Sequence, residues 1–173
     1  MYVLRPDEKT TPVMLYSRDK LVRGDVVTKQ TVLRMNIWLR TDGAPNYLHI
    51  LKPHVIVFGG TPVKSFTFSE MFFPNSDLIG FHTLPSVDEP LDYEAEEANR
   101  MMQDVQILMG TFVVKGKLRI STQTELYSSL EVARVSWLSL YDAEIVNPFV
   151  PQMPPMHVPM MLISPEHVAF ALT

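Results

Sequence analysis

Apolar side chains fall on alternate positions in residues 13–15 and again in residues 105–107. A period of two predicts half-buried strands. Turn signals follow each run, at residues 17–19 and 109–110, and then a second strand that holds a glycine, Gly24 or Gly116. The two stretches, VMLYSRDKLVRGDVV from Val13 and VQILMGTFVVKGKLR from Val105, align without a gap at an offset of 92. That alignment sets Val13 with Val105, Leu15 with Ile107, Leu21 with Val113, Arg23 with Lys115 and Val26 with Leu118. One small β pattern therefore occurs twice. Further along, LRMNIWL from Leu33 corresponds to LYSSLEV from Leu126. YLHILKPHVIV from Tyr47 then corresponds to SWLSLYDAEIV from Ser136, at an offset of 89 that sets Leu51 with Leu140 and Ile56 with Ile145.

A glycine inside a strand marks a sharp bend, a bulge or a close backbone approach, and small barrels need such bends to curl one sheet onto itself. Gly24 and Gly116 are read on that ground as structural glycines. Residues 62–73 alternate at Phe66 and Phe68, and the apolar phase then slips to Met71 and Phe73, predicting a bulge or a strand end. Residues 158–172 read as strand, turn and strand. Between the copies, Pro85 and Pro90 disfavour regular structure, and EAEEANRMMQDV after them predicts a short acidic helix with Asp92 as N-cap. The expected fold is mostly β: two related small β-barrel-like units in tandem, residues 1–76 and 105–173, joined by a Pro-rich acidic linker or helix over 77–104. A second Pro-rich stretch, NPFVPQMPPMHVP, suggests an extended interaction arm made of Met153, Pro154, Pro155, Met156, Met160 and Met161.

In outline the second copy resembles a small SH3-like barrel of the Sm-like kind. VQILMGTFVVKGKLRIS stands for its first two strands, VSWLSLYDAEIV for the third and VPMMLISPEHVAFAL for the closing pair. Gly116 stands where the Sm-like pattern has its glycine, and Met35-Asn36 in the first copy is similar to the Met-Asn of the Sm motif. Asn36 follows Gly24 by twelve positions, further than the Sm spacing, and the second copy has Ser128 and Ser129 in that region. The resemblance implies a barrel, and by analogy a homo-oligomer built by edge-strand pairing.

Charge narrows the function. The chain carries −4 overall, but residues 1–60 hold nine Lys/Arg against five Asp/Glu, and the remainder holds six against fourteen. An acidic total opposes general nucleic-acid binding, while the basic first third keeps a local site open. The candidate contacts there are Arg18, Lys20, Arg23, Lys29, Arg34 and Arg40, with Trp38 and Tyr47 as stacking partners. With no cysteine the chain has neither disulfides nor thiol ligands. No leader pattern or membrane-length apolar run is present, and a cytoplasmic location is expected.

Catalytic and cofactor motifs are missing. The five histidines form no metal-ligand spacing, no serine sits in a nucleophile motif, and no glycine-rich phosphate loop occurs. The carboxylates crowd only into residues 88–97, which read as a solvated linker. The expectation is a protein without enzymatic activity, metal or cofactor. It would assemble with itself or with another protein through β-barrel edges. The alternatives are an RNA or single-strand-binding Sm-like module and a binder of small ligands in the cleft between the copies.

Overall fold

The computed structural model describes residues 2–172. The chain is mostly β and divides after Glu89 into two compact units. The first contains β1 (Glu8–Tyr16), β2 (Lys20–Lys29), the single helical turn α1 (Met35–Trp38), β3 (Tyr47–Val57), β4 (Lys64–Thr67), β5 (Glu70–Pro74) and β6 (Gly80–Thr83). The second contains β7 (Arg100–Met109), β8 (Phe112–Ser121), α2 (Leu126–Val132), β9 (Leu138–Val146), β10 (Met156–Ile163) and β11 (Ala169–Ala171).

Both units use one antiparallel plan. The strands of the second lie in the order β11-β7-β8-β9-β10, so its last strand pairs with its first. The first unit runs β6-β1-β2-β3 in the same way. Its fourth position is divided: β4 pairs with residues 54–57 of β3, and β5 with residues 47–51. A 3-10 turn precedes the last strand of each unit, at Asn75–Asp77 and Pro165–His167. No ladder joins β6 to β4 or β5, or β11 to β10, among the described residues. Neither unit is thus a closed barrel by backbone hydrogen bonding, which corrects the expected closed form.

Four of the duplicated pairs share their burial, whereas Leu21 is buried and Val113 only partly so. Val13 and Val105, Leu15 and Ile107, Val22 and Val114, and Val26 and Leu118 are all core residues. In both units the ladder between the second and third strands shifts register at the glycine, between Arg23 and Asp25 and between Lys115 and Lys117. A Cβ on Gly24 would lie 2.5 Å from Ile50 Cγ2 and 3.1 Å from the Leu51 carbonyl oxygen. On Gly116 it would lie 2.8 Å from Leu140 Cγ and 3.0 Å from the Tyr141 oxygen. Both glycines thus sit where the third strand crosses too closely for a side chain.

The ladders also correct the third-strand alignment. Asp25 pairs with Leu51 and its counterpart Lys117 pairs with Tyr141, so Leu51 corresponds to Tyr141 and Ile50 to Leu140, an offset of 90 (141 less 51) rather than 89. A slip of one exchanges faces. Ile50 and Leu140 are fully buried, whereas Leu51 is partly exposed. At the corrected offset the two left-handed residues of these strands, Lys52 (φ 48°) and Asp142 (φ 49°), also coincide.

The linker is corrected too. Residues 100–104 are the first half of β7, laddered from Arg100 opposite Ser121 to Asp104 opposite Lys117. No helix forms over 94–105. Local acidic helix propensity yields there to a ten-residue ladder partner. Gly80–Thr83, also placed in the linker, is β6 and pairs with β1.

Alanine at Gly24 or Gly116 forces the third strand away, and overpacking of this kind costs about 1–3 kcal/mol. Alanine at Gly59, where a Cβ meets nothing within 4 Å, is expected to change stability by no more than about 0.5 kcal/mol. Urea unfolding of the three variants tests this. A Gly24→Ala protein as stable as Gly59→Ala would show that the close approach is not a constraint.

Candidate functional site

An edge strand offers a row of unpaired N–H and C=O groups, and proteins that keep such an edge bare usually guard it with charge, proline or a bulge. β4 pairs only with β3 among the described residues, and all four of its side chains are exposed. Phe66 lies opposite Val55, whose side chain is in the core, so the ring faces the core side yet overhangs the edge. Phe68, two positions on, stacks against it with ring centroids 6.3 Å apart and planes 18° from parallel. The rings remain 45% and 48% exposed, and Lys64 is the only charge on the strand. Two phenylalanines keep in water a large apolar area that a neighbour would bury at a gain.

β5 also pairs only with β3 among the described residues, but it carries Glu70 and ends at Pro74. In the second unit the bare strand is β11, which pairs only with β7 among the described residues. Residues 168–172, Val-Ala-Phe-Ala-Leu, carry neither charge nor proline. Ala169 lies opposite Leu108, which is 54% exposed, and Leu172 is 61% exposed. The alternation of Phe66 and Phe68 was visible in the sequence, but their edge position was not, because it depends on strand order.

The basic candidates are not gathered into one site. Arg18 is exposed in the hairpin before β2, and Arg23 is exposed within β2. Lys20 and Lys29 stand at opposite ends of that strand. Both are engaged, Lys20 with Asp19 at 2.6 Å and Lys29 with Asp7 at 2.7 Å. Arg34 is half-buried before α1, and Arg40 is exposed beyond it. Trp38 is half-buried, and Tyr47 is exposed at the start of β3. Asn36 is buried on α1, and its side-chain oxygen has no hydrogen-bond partner.

The Met/Pro arm is corrected in part. Residues 156–163 form β10 on β9, with Met160 and Met161 in the core. Only Met153, Pro154 and Pro155 precede the strand, and both prolines are exposed. Residues 156–163 thus belong to the sheet rather than to an extended arm.

The acidic stretch is exposed at Asp88, Glu94, Glu96 and Glu97, as expected of a solvated segment, but it is also fastened to the sheet. The Asp92 carboxylate accepts hydrogen bonds from the hydroxyls of Ser139 and Tyr141, each at 2.6 Å. Tyr93 packs edge-on against Tyr141, with centroids 4.8 Å apart, and the Arg119 guanidinium lies over the Tyr93 ring at 4.7 Å. Arg119 also pairs with Glu97, which holds that carboxyl below its ordinary range, and it donates to the Glu94 carbonyl oxygen. Hydroxyls of β9 and the cation of β8 thus hold the segment against the sheet.

In the first unit a polar pair is buried between β1 and β6. Tyr16 and His82 are 0% and 1% exposed, and the Tyr16 hydroxyl lies 2.9 Å from His82 Nε2. His82 Nδ1 is 2.9 Å from the Thr83 carbonyl oxygen, which can only accept, so Nδ1 carries the proton and Nε2 accepts from Tyr16. Burial lowers the His82 pKa to about 4 against the opposing pull of the Thr83 carbonyl, and it raises that of Tyr16. No cluster of three or more His, Cys, Asp or Glu suited to a metal occurs among the described residues. No helix of the described residues is long and apolar enough to cross a membrane.

Fold and edges together define a class: a mostly β protein of two units with one strand order, each unit leaving a strand bare. Comparison with protein-family models, with curated proteins and with solved structures finds no significant match to this chain.

The buried histidine sets a pH dependence. Unfolded, its imidazole takes up a proton as pH falls through 6.5, whereas folded His82 stays neutral until about pH 4. The unfolded state then binds more protons, so stability declines from pH 6.5 to pH 4, by about 3 kcal/mol in all. His82→Gln, which can donate to Thr83 and accept from Tyr16, should flatten that part of a urea-midpoint profile. An unchanged slope in the variant would remove His82 as its source.

Proposed function

We propose that the protein is a non-catalytic assembly component that associates with copies of itself, or with another β protein, through the free edges of β4 and β11. The observation that carries this reading is the stacked Phe66–Phe68 pair at an edge strand that carries a single charge, Lys64. The uncharged Val-Ala-Phe-Ala-Leu stretch on β11 supports it. Each unit is read as a small barrel-like module of the Sm-like or SH3-like outline. Support for that comes from the strand order, with the last strand beside the first, and from the glycine at the bulge of the second strand. Pairing of bare strands satisfies their backbone groups while burying the overhanging apolar side chains, two gains from one contact.

The competing reading is a module that holds single-stranded RNA. Its support is the exposure of Arg18, Arg23 and Arg40 and the buried, unpartnered side-chain oxygen of Asn36. Two further cations of the basic first third, Lys20 and Lys29, are held by neighbouring carboxylates, which weakens it beside the edge reading.

Light scattering after gel filtration, with protein and nucleic-acid absorbance both recorded, separates the two. The expected particle is protein only, with a mass that is a multiple of 19.8 kDa. Replacing both rings, Phe66→Lys with Phe68→Lys, should raise the concentration needed for assembly by about a hundredfold, the effect of losing two interface aromatics. A wild-type monomer at about 100 μM, where even weak specific complexes are largely formed, would end the assembly reading. A particle carrying nucleic acid, released by salt and weakened by Arg23→Ala with Arg34→Ala, would replace it with the RNA reading.

A further inference from the structure

Resting on the assembly reading, we infer that the contact is head-to-tail: β4 of one copy pairs with β11 of a second copy, unlike edge to unlike edge. The argument starts from the shared plan of the two units. In the fourth strand position, Val158 and the run Met160, Met161, Leu162 and Ile163 of β10 are buried, whereas every side chain of β4 is exposed. In the fifth position the order reverses. Gly80, Phe81 and His82 of β6 are buried, whereas Ala169 and Ala171 of β11 are exposed. The fourth position of the first unit thus offers an open edge at β4, and at the Glu70- and Pro74-bearing β5, while the second unit offers an open fifth strand, so the edges of β4 and β11 are unlike.

Charge favours the unlike pairing. Residues 1–89 hold ten Lys/Arg against nine Asp/Glu, and residues 90–173 hold five against ten, so the first unit is +1 and the second −5. Joining two second units brings together two strongly acidic bodies, whereas joining a second unit to a first does not. The local charges agree. Lys64 lies on β4 with Lys52 exposed on the adjoining β3, while exposed Glu166 lies in the turn before β11. The two strands also match in length, four residues against three, so a pairing leaves little of either edge bare. A heterologous contact uses β4 and β11 of every copy and generates a ring where the rotation closes and a filament where it does not.

The absence of cysteine makes the test direct. Ser65 on β4 and Ala171 on β11 are both exposed, and each is replaced alone by cysteine, Ser65→Cys and Ala171→Cys. The two variants, separately and mixed, are treated with a short bismaleimide at low and high salt, and light scattering is run on the same samples. Head-to-tail pairing predicts about tenfold more cross-linked dimer in the mixture than in either variant alone, falling as salt rises. Cross-linking of Ser65→Cys alone as strong as in the mixture would show like edges meeting, overturning the head-to-tail contact while leaving self-assembly intact. Assembly by light scattering with no cross-link in any sample would place the contact elsewhere and overturn it as well. Monomers throughout would overturn both this inference and the reading it rests on.

Discussion

Everything in either unit depends on how closely the second and third strands cross at one glycine. At Gly24 the nearest atoms of β3 stand where a methyl group would have to be, and Gly116 repeats the contact against β9. The register shift at each glycine lets a single strand serve two directions. A bulge of this kind bends the strand and increases its twist. Opposite the bend, the third strand answers with a residue in the left-handed region, Lys52 or Asp142. Neither is a glycine, so the conformation costs energy that the surrounding ladders must supply. That both copies retain this arrangement, while sharing few identical side chains, identifies the coiled second and third strands as the part the rest is built around.

Much of this was legible in the sequence because a close approach admits only one residue type. The offset of 92 rests on a glycine and on alternating apolar positions that cannot shift without exposing the core. The third strand was misjudged by one residue because it is apolar on both sides of the true register. Leu51 next to Ile50, and Tyr141 next to Leu140, give matching patterns at either offset. Only the pairing across the bulge decides which member of each couple points inward. The linker failed for a related reason. Local propensity favours helix in its acidic half, but β8 is ten residues long, and its last positions would lack ladder partners without Arg100–Asp104.

The candidate edges were less legible, because an edge is a property of strand order and not of the strand. Phe66 and Phe68 alternate just as core residues do, and nothing local separates an overhanging ring from a buried one. The methionines show the converse. Met160 and Met161 lie in a Pro-rich neighbourhood that suggests an exposed arm, yet both are packed in β10. Asp92 illustrates a third limit. A carboxylate in an acidic run reads as solvated, and the two hydroxyls that hold it come from Ser139 and Tyr141, 47 and 49 residues away.

The two copies also differ where their first and last strands meet, and there the difference runs against ordinary chemistry. Tyr16 and Leu108 occupy the same position at the offset of 92. The tyrosine, with a polar hydroxyl, is fully buried, while the leucine is 54% exposed. Near Tyr16 lies His82, also buried, and beside Leu108 lie the exposed alanines of β11. Burying a hydroxyl and an imidazole costs free energy unless they satisfy one another, and here they do, through a bond of 2.9 Å. Exposing leucine and alanine forfeits the hydrophobic gain that their burial would supply. The cheaper arrangement, apolar inside and polar outside, was available to both copies of the same scaffold. Its reversal is accounted for if the second unit's strand is kept apolar in order to be covered by another protein surface, while the first unit's strand, already covered, carries a matched polar pair that fixes how β6 lies on β1.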